Sequence, residues 1–489
     1  MPILSYLIFA PLVGAALILA LPPKKTGLIK TIAFLSTGFV LALAGCLVAR
    51  FDYTSAEFQF IQQTQWIPAL NVWYFVGVDG VSLALVFLTA LLGFLACLSS
   101  FSIDNRQKEY FVFYLLLMTG MMGTFLALDL FLFYIFWEVV LIPMYFLIGM
   151  WGGPRREYAA VKFFLYTLAG SVLMLVGILV TYFSAGLHSF NMLELREAAG
   201  VFDFRLQIFL FLMFYAAFAV KVPVFPFHTW LPDAHVEAPT PISVLLAGVL
   251  LKMGGYGLFR ISFPFFKEAA HYFAYPLAVL AVINIVYGAC VAFAQTDFKK
   301  MIAYSSVSHM GFVILGLAAM NVTGFNGALL EMFNHGIITG AMFLLVGVLY
   351  DRAHTRDLEK FGGLSGHLPV YAFFLTFCSL ASLGLPGLSG FVGEFLALAG
   401  AFPVFQTLTI IAIIGLILMV AFFLYMLQRV LFGPLNPNCT KYTDMTTGEV
   451  ITLLPLAAII FVVGFYPMSV LQYQQKAVEA LVALLKGGL

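Results

Sequence analysis

Several ionisable side chains stand inside long apolar stretches of the sequence, where they could exchange protons. These residues are Glu138, Lys221, Lys252, His309, Glu331, His335 and Glu394. An ionisable group at the centre of a membrane costs at least roughly 2.5 to 3.5 kcal/mol, so its presence there is by default a sign of function. Carboxylates, amines and imidazoles all take up and release protons, and their environment sets when they do so. The pattern therefore predicts a chain of proton-transfer groups.

Residue type suggests one relation within this set, whose proximity spacing cannot show, and spacing suggests another. Glu138 and Lys221 form a predicted acid–base pair, in which a proton arriving at one group changes the proton affinity of the other. Glu331 and His335 are four residues apart, so they share one face of a helix. Taken alone, either His309 or His335 is more often a hydrogen-bonded core residue than a proton carrier. The carboxylates and lysines therefore carry most of the functional prediction.

The composition identifies the solvent of this chain as lipid. Of its 489 residues 63% are hydrophobic and only 10% are charged, and the mean hydropathy is +1.03. That much apolar surface cannot be hidden inside a water-soluble globule. The formal net charge of +1 gives no basic excess that would indicate nucleic acid as a partner. The five cysteines are dispersed without metal-ligand or redox-motif spacing, so neither a metal site nor a redox role is expected.

The sequence contains about fourteen apolar stretches of the length that crosses a bilayer, and it predicts an all-α integral membrane fold. The predicted spans cover residues 3–21, 28–49, 78–101, 110–128, 130–150, 159–184, 205–226, 240–262, 272–295, 301–320, 325–350, 369–398, 406–432 and 450–472. The tail at 474–485 alternates polar and apolar faces at helical spacing, and it is predicted to lie along the membrane surface.

The distribution of lysine and arginine predicts the orientation of these spans. Basic residues are concentrated in the odd-numbered loops, at Lys24, Lys25, Lys30, Arg106, Lys108, Arg155, Arg156, Lys299, Lys300, Arg352, Arg356, Lys360, Arg429 and Lys441. The even-numbered loops carry only Arg50, Arg196, Arg205, Arg260 and Lys267. Because cytoplasmic loops retain positive charge, the odd loops should face the cytoplasm. Both termini should then lie on the outer side.

Helix-breaking residues interrupt two of the spans at corresponding places. Pro223 and Pro226 break the seventh, and the segment SLGLPGLSGFVGEF breaks the twelfth. If helices 4–8 and 9–13 form two five-helix units, each unit has its break in its fourth helix. Such an inverted repeat is typical of ion-coupled transporters, although coincidental proline kinks remain the alternative. The predicted division is 1–109, 110–262 for the first repeat, 263–432 for the second, and 433–489.

Polar residues near the predicted span ends are expected to have interfacial or capping roles. They are Asp129, Asp233, His235 and Glu237. His228 and Asp233 flank the broken seventh span, where they could line an entrance.

Six segments in the same order resemble the antiporter-like membrane subunits of respiratory complex I. They are FWEVVLIPMYFLIG, VKVPVFPFHTWLPDAHVEAPT, LLKMGGYGLFR, YSSVSHMGFVILG, HGIITGAMFLLVGVLYDRAHTRD and GLPGLSGFVGEF. The resemblance covers nearly the whole chain. It is closest to the subunit type that has a glutamate, here Glu394, where related subunits tend to carry lysine. The long lateral helix of the larger related subunit is absent from the C-terminal region.

The resemblance implies a role for each of the ionisable positions. Glu138 and Lys221 match the Glu–Lys pair of the family, and Lys252 matches its central lysine. His309 and His335 match the connecting histidines, and Glu394 matches the terminal carboxylate toward the exit. Glu331 departs from the uncharged amide expected at its position.

The resemblance also implies where the chain works and with which partners. The expected function is proton translocation as a subunit of the NADH:quinone oxidoreductase, driven by electron transfer in other subunits. NADH, FMN, iron–sulfur clusters and quinone would be held by those partners, and no cofactor is expected in this chain. The expected surroundings are neighbouring membrane subunits and lipid in the bacterial cytoplasmic membrane, with the redox arm only an indirect partner.

Two other functions remain open at the level of sequence. A Mrp-type Na⁺/H⁺ antiporter subunit, or a related hydrogenase-complex membrane subunit, would share the same helix pattern. A haem- or quinone-binding electron carrier would use paired buried histidines at matching depths on facing helices. The sequence offers no such pair that can be assigned, so proton translocation is the prediction.

Overall fold

The computed structural model describes residues 2–200 and 202–487, and most of them are helical. The helices of the first half are α1 Ile3–Ala20, α2 Thr26–Arg50, α3 Gly80–Ser99, α4 Gln107–Leu126, α5 Leu130–Val139, α6 Leu141–Trp151, α7 Arg156–Ala185, α8 Met192–Ala199, α9 Phe204–Lys221, α10 Trp230–Glu237 and α11 Thr240–Leu245. Those of the second half are α12 Leu251–Gly257, α13 Phe263–Phe265, α14 Lys267–Phe293, α15 Phe298–Ala318, α16 Val322–Ala353, α17 Leu364–His367, α18 Pro369–Ser382, α19 Ser389–Ala401, α20 Gln406–Leu431, α21 Thr447–Phe465 and α22 Met468–Lys486. The strands are β1 Gln59–Ile67 and β2 Val72–Val78.

The predicted membrane fold is confirmed within the described residues. Thirteen helical stretches are long and apolar enough to cross a bilayer. The shorter apolar helices α18 and α19 follow each other directly and together occupy the predicted twelfth span, 369–398. Counting that broken pair once gives fourteen spans. The last predicted span, 450–472, is too long, because α21 ends at Phe465 and α22 begins a new helix at Met468.

Three of the helical spans that carry buried ionisable groups are also the most deeply buried ones. The apolar windows of 240–265 and α16 are entirely buried within the protein, and that of α15 is nearly so. In α2 and α21, by contrast, fewer than a third of the window residues are buried. Exposed leucines, isoleucines and phenylalanines on such helices are the surface expected to face lipid tails. Lys252, His309, Glu331 and His335 therefore lie on helices that are shielded from lipid.

Asp and Asn side chains at the helix starts explain several helix boundaries. Asp79 accepts from the Ser82 backbone N–H at the start of α3, and Asp297 accepts from Lys300 N at the start of α15. Asn321 does the same for Gly324 N at the start of α16. These bonds satisfy backbone donors that have no partner inside the helix. Polar caps therefore define where these apolar helices begin.

An antiparallel hairpin between the second and third spans was not predicted from the sequence. Strands β1 and β2 pair with Gln63 opposite Phe75, and the tight turn has Asn71 in the left-handed region at a φ of 51°. A hydrogen bond connects the hairpin to helix α1, because the Ser5 hydroxyl lies 2.8 Å from the Tyr74 hydroxyl. Aromatic and β-branched residues in QFIQQTQWI and VWYFVGV, separated by a short segment with Pro68 and Asn71, are the local signal that could have indicated it.

Asp129 caps helix α5, which confirms the capping role expected for it. Its carboxylate accepts from the backbone N–H groups of Phe131 and Leu132, at 2.9 and 3.0 Å. It also accepts from Trp73 N of the hairpin at 3.2 Å. The Asp129 side chain therefore links the turn between α4 and α5 to the β1–β2 hairpin.

We expect the stability of the protein to depend on pH through the carboxyl group of Asp129. Burial raises the pKa of Asp129 to about 6, although its three backbone donors oppose the shift. The folded chain holds this proton more firmly than the unfolded chain does. The protonated carboxyl of Asp129 therefore makes its full contribution to the free energy of unfolding below about pH 4, and this contribution is lost as the pH rises through about 6. We expect the thermal midpoint of the wild type to fall by roughly 2 °C relative to Asp129→Asn between pH 4 and pH 7. Parallel curves for the two proteins would contradict this.

Three spans are interrupted, and a fourth has irregular turns. The fifth is divided at Val140, three residues before Pro143, whose ring cannot follow a regular helical turn. The seventh stops at Lys221, directly before the predicted proline break, and the twelfth is open between α18 and α19. The eighth contains two π-helical segments, 246–250 and 258–262, on either side of Lys252. The breaks predicted in spans seven and twelve are thus confirmed.

The chain forms two compact units. One comprises residues 1–223, 249–274 and 472–489, and the other comprises 224–248 and 275–471. In the first unit α1 packs on α4 and α7 packs on α9. In the second, α16 packs on both α15 and α19. The proposed inverted repeats at 110–262 and 263–432 remain a prediction.

Candidate proton-transfer site

The second unit gathers four of the predicted site residues into one buried cluster. His309 on α15 places its Nδ1 atom 2.9 Å from Oε1 of Glu394, which is on α19. The same Nδ1 lies 3.7 Å from Oε1 of Glu331 on α16. The ring of His335, one helical turn beyond Glu331, has its centroid 5.3 Å from that of His309. At most 4% of any of these residues is exposed.

The break in the twelfth span supplies the other partner of His309. The Ser382 hydroxyl, at the end of α18, lies 3.0 Å from His309 Nε2. Glu394 follows in α19, on the far side of the break. Since α18 and α19 contribute to opposite ring nitrogens, the imidazole connects the two halves of this interrupted helix. Asn334 of α16 stabilises the same region by donating to the Ser389 carbonyl at 2.6 Å.

Two glycines leave the space that the carboxylates occupy. A Cβ atom at Gly393 would lie 2.5 Å from Oε2 of Glu331, closer than real Cβ contacts allow. At Gly384 the backbone has a φ of 77°, and a Cβ would lie 3.0 Å from Oε2 of Glu394. Glycine is the residue that adopts this backbone region without strain. The glycines of the twelfth span therefore admit charged groups as well as breaking the helix.

The charges of the cluster favour a shared proton. Two carboxylates lie against one imidazole, and their charges repel each other unless a proton or an imidazolium intervenes. The ring nitrogens of histidine exchange donor and acceptor roles as the proton moves. The nitrogen and oxygen donors of His309, Glu331 and Glu394 also lie within 4.8 Å of one another, a spacing that a small cation could bridge. The 2.9 Å hydrogen bond between His309 and Glu394 needs only a proton between the two atoms and no cation.

The first unit holds a second group of predicted residues around Lys221. This lysine ends α9 and is only 1% exposed, and its ammonium nitrogen lies over the rings of Trp137 and Phe163, at 5.2 and 5.6 Å. The ring faces attract the cation without fixing its proton. Glu138 follows Trp137 directly in the chain, so Lys221 lies against the residue next to it. The Glu138–Lys221 pair itself stays a prediction.

Lys252 lies elsewhere in the first unit and is completely buried in α12. The α12 helix packs on α9, which carries Lys221 at its end. Gly254 allows this approach, because a Cβ there would lie 2.7 Å from the Phe218 carbonyl oxygen. A buried lysine between two π-helical segments is held by a backbone that departs from the regular helix on both sides.

Some residues differ from the sequence-based expectation. His235 and Glu237, expected at the membrane interface, are buried instead, and the His235 ring stacks on Phe343 at 4.6 Å. Packing of α10 against α15 places these two side chains inside the protein. His228, which precedes α10, is buried as well and lies against the Tyr287 ring at 5.2 Å, and its predicted place at an entrance stays a prediction. Sequence reasoning also missed Ser382, because a single hydroxyl in an apolar helix carries no signal of its own.

Comparison with known proteins agrees with this architecture. The transmembrane family described as NADH:quinone oxidoreductase/Mrp antiporter matches residues 127–420. The chain is 45% identical to the NADH-quinone oxidoreductase subunit M of Rhodobacter capsulatus, over 96% of this chain and 94% of the relative. It is 41% identical to the NADH-ubiquinone oxidoreductase chain 4 of Marchantia polymorpha, over 98% and 97%. The predicted similarity to this subunit type is confirmed.

Solved structures show the same fold. A chain of respiratory complex I from Thermus thermophilus superposes with a TM-score of 0.91 at 31% identity, covering 99% of this chain and all of that one. A chain of the Mrp complex from a Dietzia species gives a TM-score of 0.87 at 21% identity, covering 98% and 97%, which shows a likeness of fold alone. With the buried Glu, Lys and His groups at the places described, the chain belongs to the NADH:quinone oxidoreductase/Mrp antiporter family of membrane subunits.

Proposed function

We propose that this chain translocates protons as a membrane subunit of an NADH:quinone oxidoreductase. The observation that carries the proposal is the buried cluster in which His309 contacts Glu394 and Ser382 with its two ring nitrogens. A hydrogen-bonded ring between a hydroxyl and a carboxylate is suited to pass protons. The relatives named as subunits of that enzyme support the assignment to this complex.

At His309 the transfer needs only the groups already in contact. A proton arriving from the Ser382 side binds Nε2 and makes the ring an imidazolium. The Nδ1 proton then passes along the 2.9 Å hydrogen bond to Glu394, which leaves a neutral imidazole with its proton on Nε2. The starting state returns when Glu394 releases its proton onward and the ring proton passes from Nε2 back to Nδ1, by a flip of the ring or by exchange of the tautomer. Glu331, at 3.7 Å, stabilises the imidazolium by its charge.

At Lys221 the same logic applies to an ammonium group. Burial disfavours the positive charge of Lys221, whereas the ring faces of Trp137 and Phe163 and the carboxylate of Glu138 favour it. Protonation of Glu138 removes that support, so the lysine then gives up its proton more readily. We propose this exchange as the loading step, with Lys252 and His335 as further members of the proton-transfer chain.

The chemistry of electron transfer belongs to partner subunits in this proposal. NADH, FMN, iron–sulfur clusters and quinone would be bound there, while this chain contributes the proton path and holds no cofactor of its own. Neighbouring antiporter-like subunits and lipid would surround it. We propose the bacterial cytoplasmic membrane as its location, with both termini on the outer side, as the distribution of basic residues predicts.

The alternatives make different predictions. A Mrp-type or hydrogenase-complex subunit would copurify with membrane partners that lack an NADH-oxidising arm, and the Dietzia structure supports only the fold of such a protein. For the haem carrier, His309 and His335 would have to stand on opposite faces of a macrocycle. Their ring centroids are 5.3 Å apart, which leaves no room for one between them.

Replacement of Glu394 by glutamine tests the proposed function. The amide keeps the size of the side chain and can still accept from His309, but it cannot take the proton. We expect NADH-driven acidification of membrane vesicles to fall at least roughly threefold while the complex still assembles. The control is the same substitution at Glu479, whose side chain is 41% exposed. An assembled Glu394→Gln complex with the full proton-to-electron ratio would contradict the proposal.

A further inference from the structure

A buried ion pair with a surrounding hydrogen-bond network occupies one end of the first unit, outside the groups assigned to proton transfer. The Arg260 guanidinium donates to the Asp79 carboxylate at 2.6 Å, and it also donates from Nε to the Tyr256 hydroxyl at 3.2 Å. Ser82 lies 3.1 Å from that hydroxyl. The side chains of Arg260 and Asp79 are 12% and 5% exposed. The guanidinium is therefore fixed by several partners at once.

Aromatic rings hold the guanidinium in place as well. Its central carbon lies 4.9 Å from the ring centre of Phe58 and 5.2 Å from that of Tyr256. The Tyr256 hydroxyl donates in turn to the Phe125 carbonyl at 3.1 Å. Asp79 is itself oriented, because the same oxygen accepts from the Ser82 backbone N–H at 2.9 Å. An arginine with this many contacts acts as a fixed positive charge.

A cavity of about 290 Å³ adjoins this charge. Arg260 and Asp79 line it together with Glu57, Arg196 and, from the C-terminal helix α22, Leu481. Glu57 is exposed, so the cavity reaches the solvent-accessible surface at this end. Its charged lining is suited to hold water.

The eighth span carries Lys252 and Tyr256 in α12 and Arg260 in the π-helical segment 258–262. Lys252 and Tyr256 are four residues apart on one helix face, and the hydrogen bond from Arg260 to the Tyr256 hydroxyl brings Arg260 to the same face. Lys252 and Tyr256 are completely buried, and the cavity begins at Arg260. Lys252, Tyr256, Arg260 and the cavity therefore succeed one another along this face, with Arg260 next to the cavity.

We propose that Arg260, held by Asp79 and Tyr256, is an electrostatic barrier that keeps protons on Lys252 from escaping into the adjoining cavity. The inference rests on the proposed function, since it presumes that Lys252 carries protons in transit. A fixed cation raises the energy of a hydronium ion or protonated hydroxyl beside it, and oriented arginines exclude protons from water-filled pores in this way. Asp79 positions the charge and makes its burial tolerable, because an unpaired buried cation is costly. Arg260 is thus a residue that determines the direction of transfer without taking a proton itself.

The test is the passive proton permeability of the complete complex reconstituted in liposomes, measured without NADH. Asp79→Asn combined with Arg260→Gln removes the barrier without leaving one charge unpaired. We expect an imposed pH difference to collapse faster in this double variant, on the order of tenfold, as a pH-sensitive dye trapped in the vesicles reports. Arg260→Lys keeps the charge and should leave the vesicles tight. Adding Lys252→Ala to the double variant should slow the collapse again, since the leak runs through that amine.

Two results would contradict the proposal that Arg260 is a barrier to protons. One is an assembled double variant that holds the pH difference as long as the wild type, and the other is a leak that Lys252→Ala does not reduce. Should the double variant not assemble, Arg260→Gln alone decides the question, because its amide can still donate to Asp79. Failure of the proposed function looks different, since a wild-type complex would then oxidise NADH in tight vesicles without acidifying them.

Discussion

Replacing Lys221 with alanine should abolish NADH-driven proton pumping while the complex still assembles. The lysine is buried over the rings of Trp137 and Phe163, so alanine removes the amine that can hold a proton at this place and leaves an apolar pocket. We expect the initial rate of vesicle acidification to fall roughly tenfold or more. Native gel electrophoresis of the membranes would confirm assembly.

Arginine at the same position separates charge from proton transfer. Lys221→Arg keeps a cation over the aromatic rings, but a guanidinium does not release its proton at physiological pH. It should therefore pump as poorly as the alanine variant. A matched control is Lys162→Ala on the adjacent helix α7, where the ammonium lies 5.6 Å from the Tyr158 ring and no transfer role is assigned. Full pumping by an assembled Lys221→Arg complex would refute proton carriage by this side chain.

Replacing His309 with glutamine should have an effect of the same size in the second unit. Glutamine can hydrogen-bond to Glu394, but it cannot become a cation or pass a proton from one side of its side chain to the other. Glu331 and Glu394 would then face each other without the imidazolium between them. We expect the rate of proton pumping to fall roughly tenfold or more. NADH oxidation should slow as well, to the extent that electron transfer is coupled to pumping.

Glu331→Gln provides the comparison for the His309 variant. It removes the more distant carboxylate at 3.7 Å and leaves the 2.9 Å bond between His309 and Glu394 intact. Its pumping should exceed that of His309→Gln severalfold, because the transfer route is kept and only a stabilising charge is lost. Equal loss in the two variants would show that Glu331 takes the proton directly. Equal retention in both would contradict transfer through His309.

The sequence by itself determined the solvent of the protein and the identity of its working groups. Apolar stretches near the length of a bilayer crossing have one main physical explanation, so the spans follow from composition and length. Ionisable residues in those stretches carry a large transfer cost, and so Glu138, Lys221, Lys252 and Glu394 were evident without coordinates. The breaks at Pro223 and in the glycine-rich twelfth span were equally local, because they depend on backbone chemistry alone.

Only the tertiary structure decided which of these groups meet. That Glu331 and Glu394 approach the same nitrogen of His309 depends on the packing of α15, α16 and α19, which lie far apart in sequence. The role of Gly393, the contribution of Ser382 and the pairing of Asp79 with Arg260 over 181 positions depend on such packing as well. Membrane helices present similar apolar surfaces, so their sequence periodicity does not specify neighbours. Contacts between small residues and buried polar groups select them, and these contacts exist only in the folded chain.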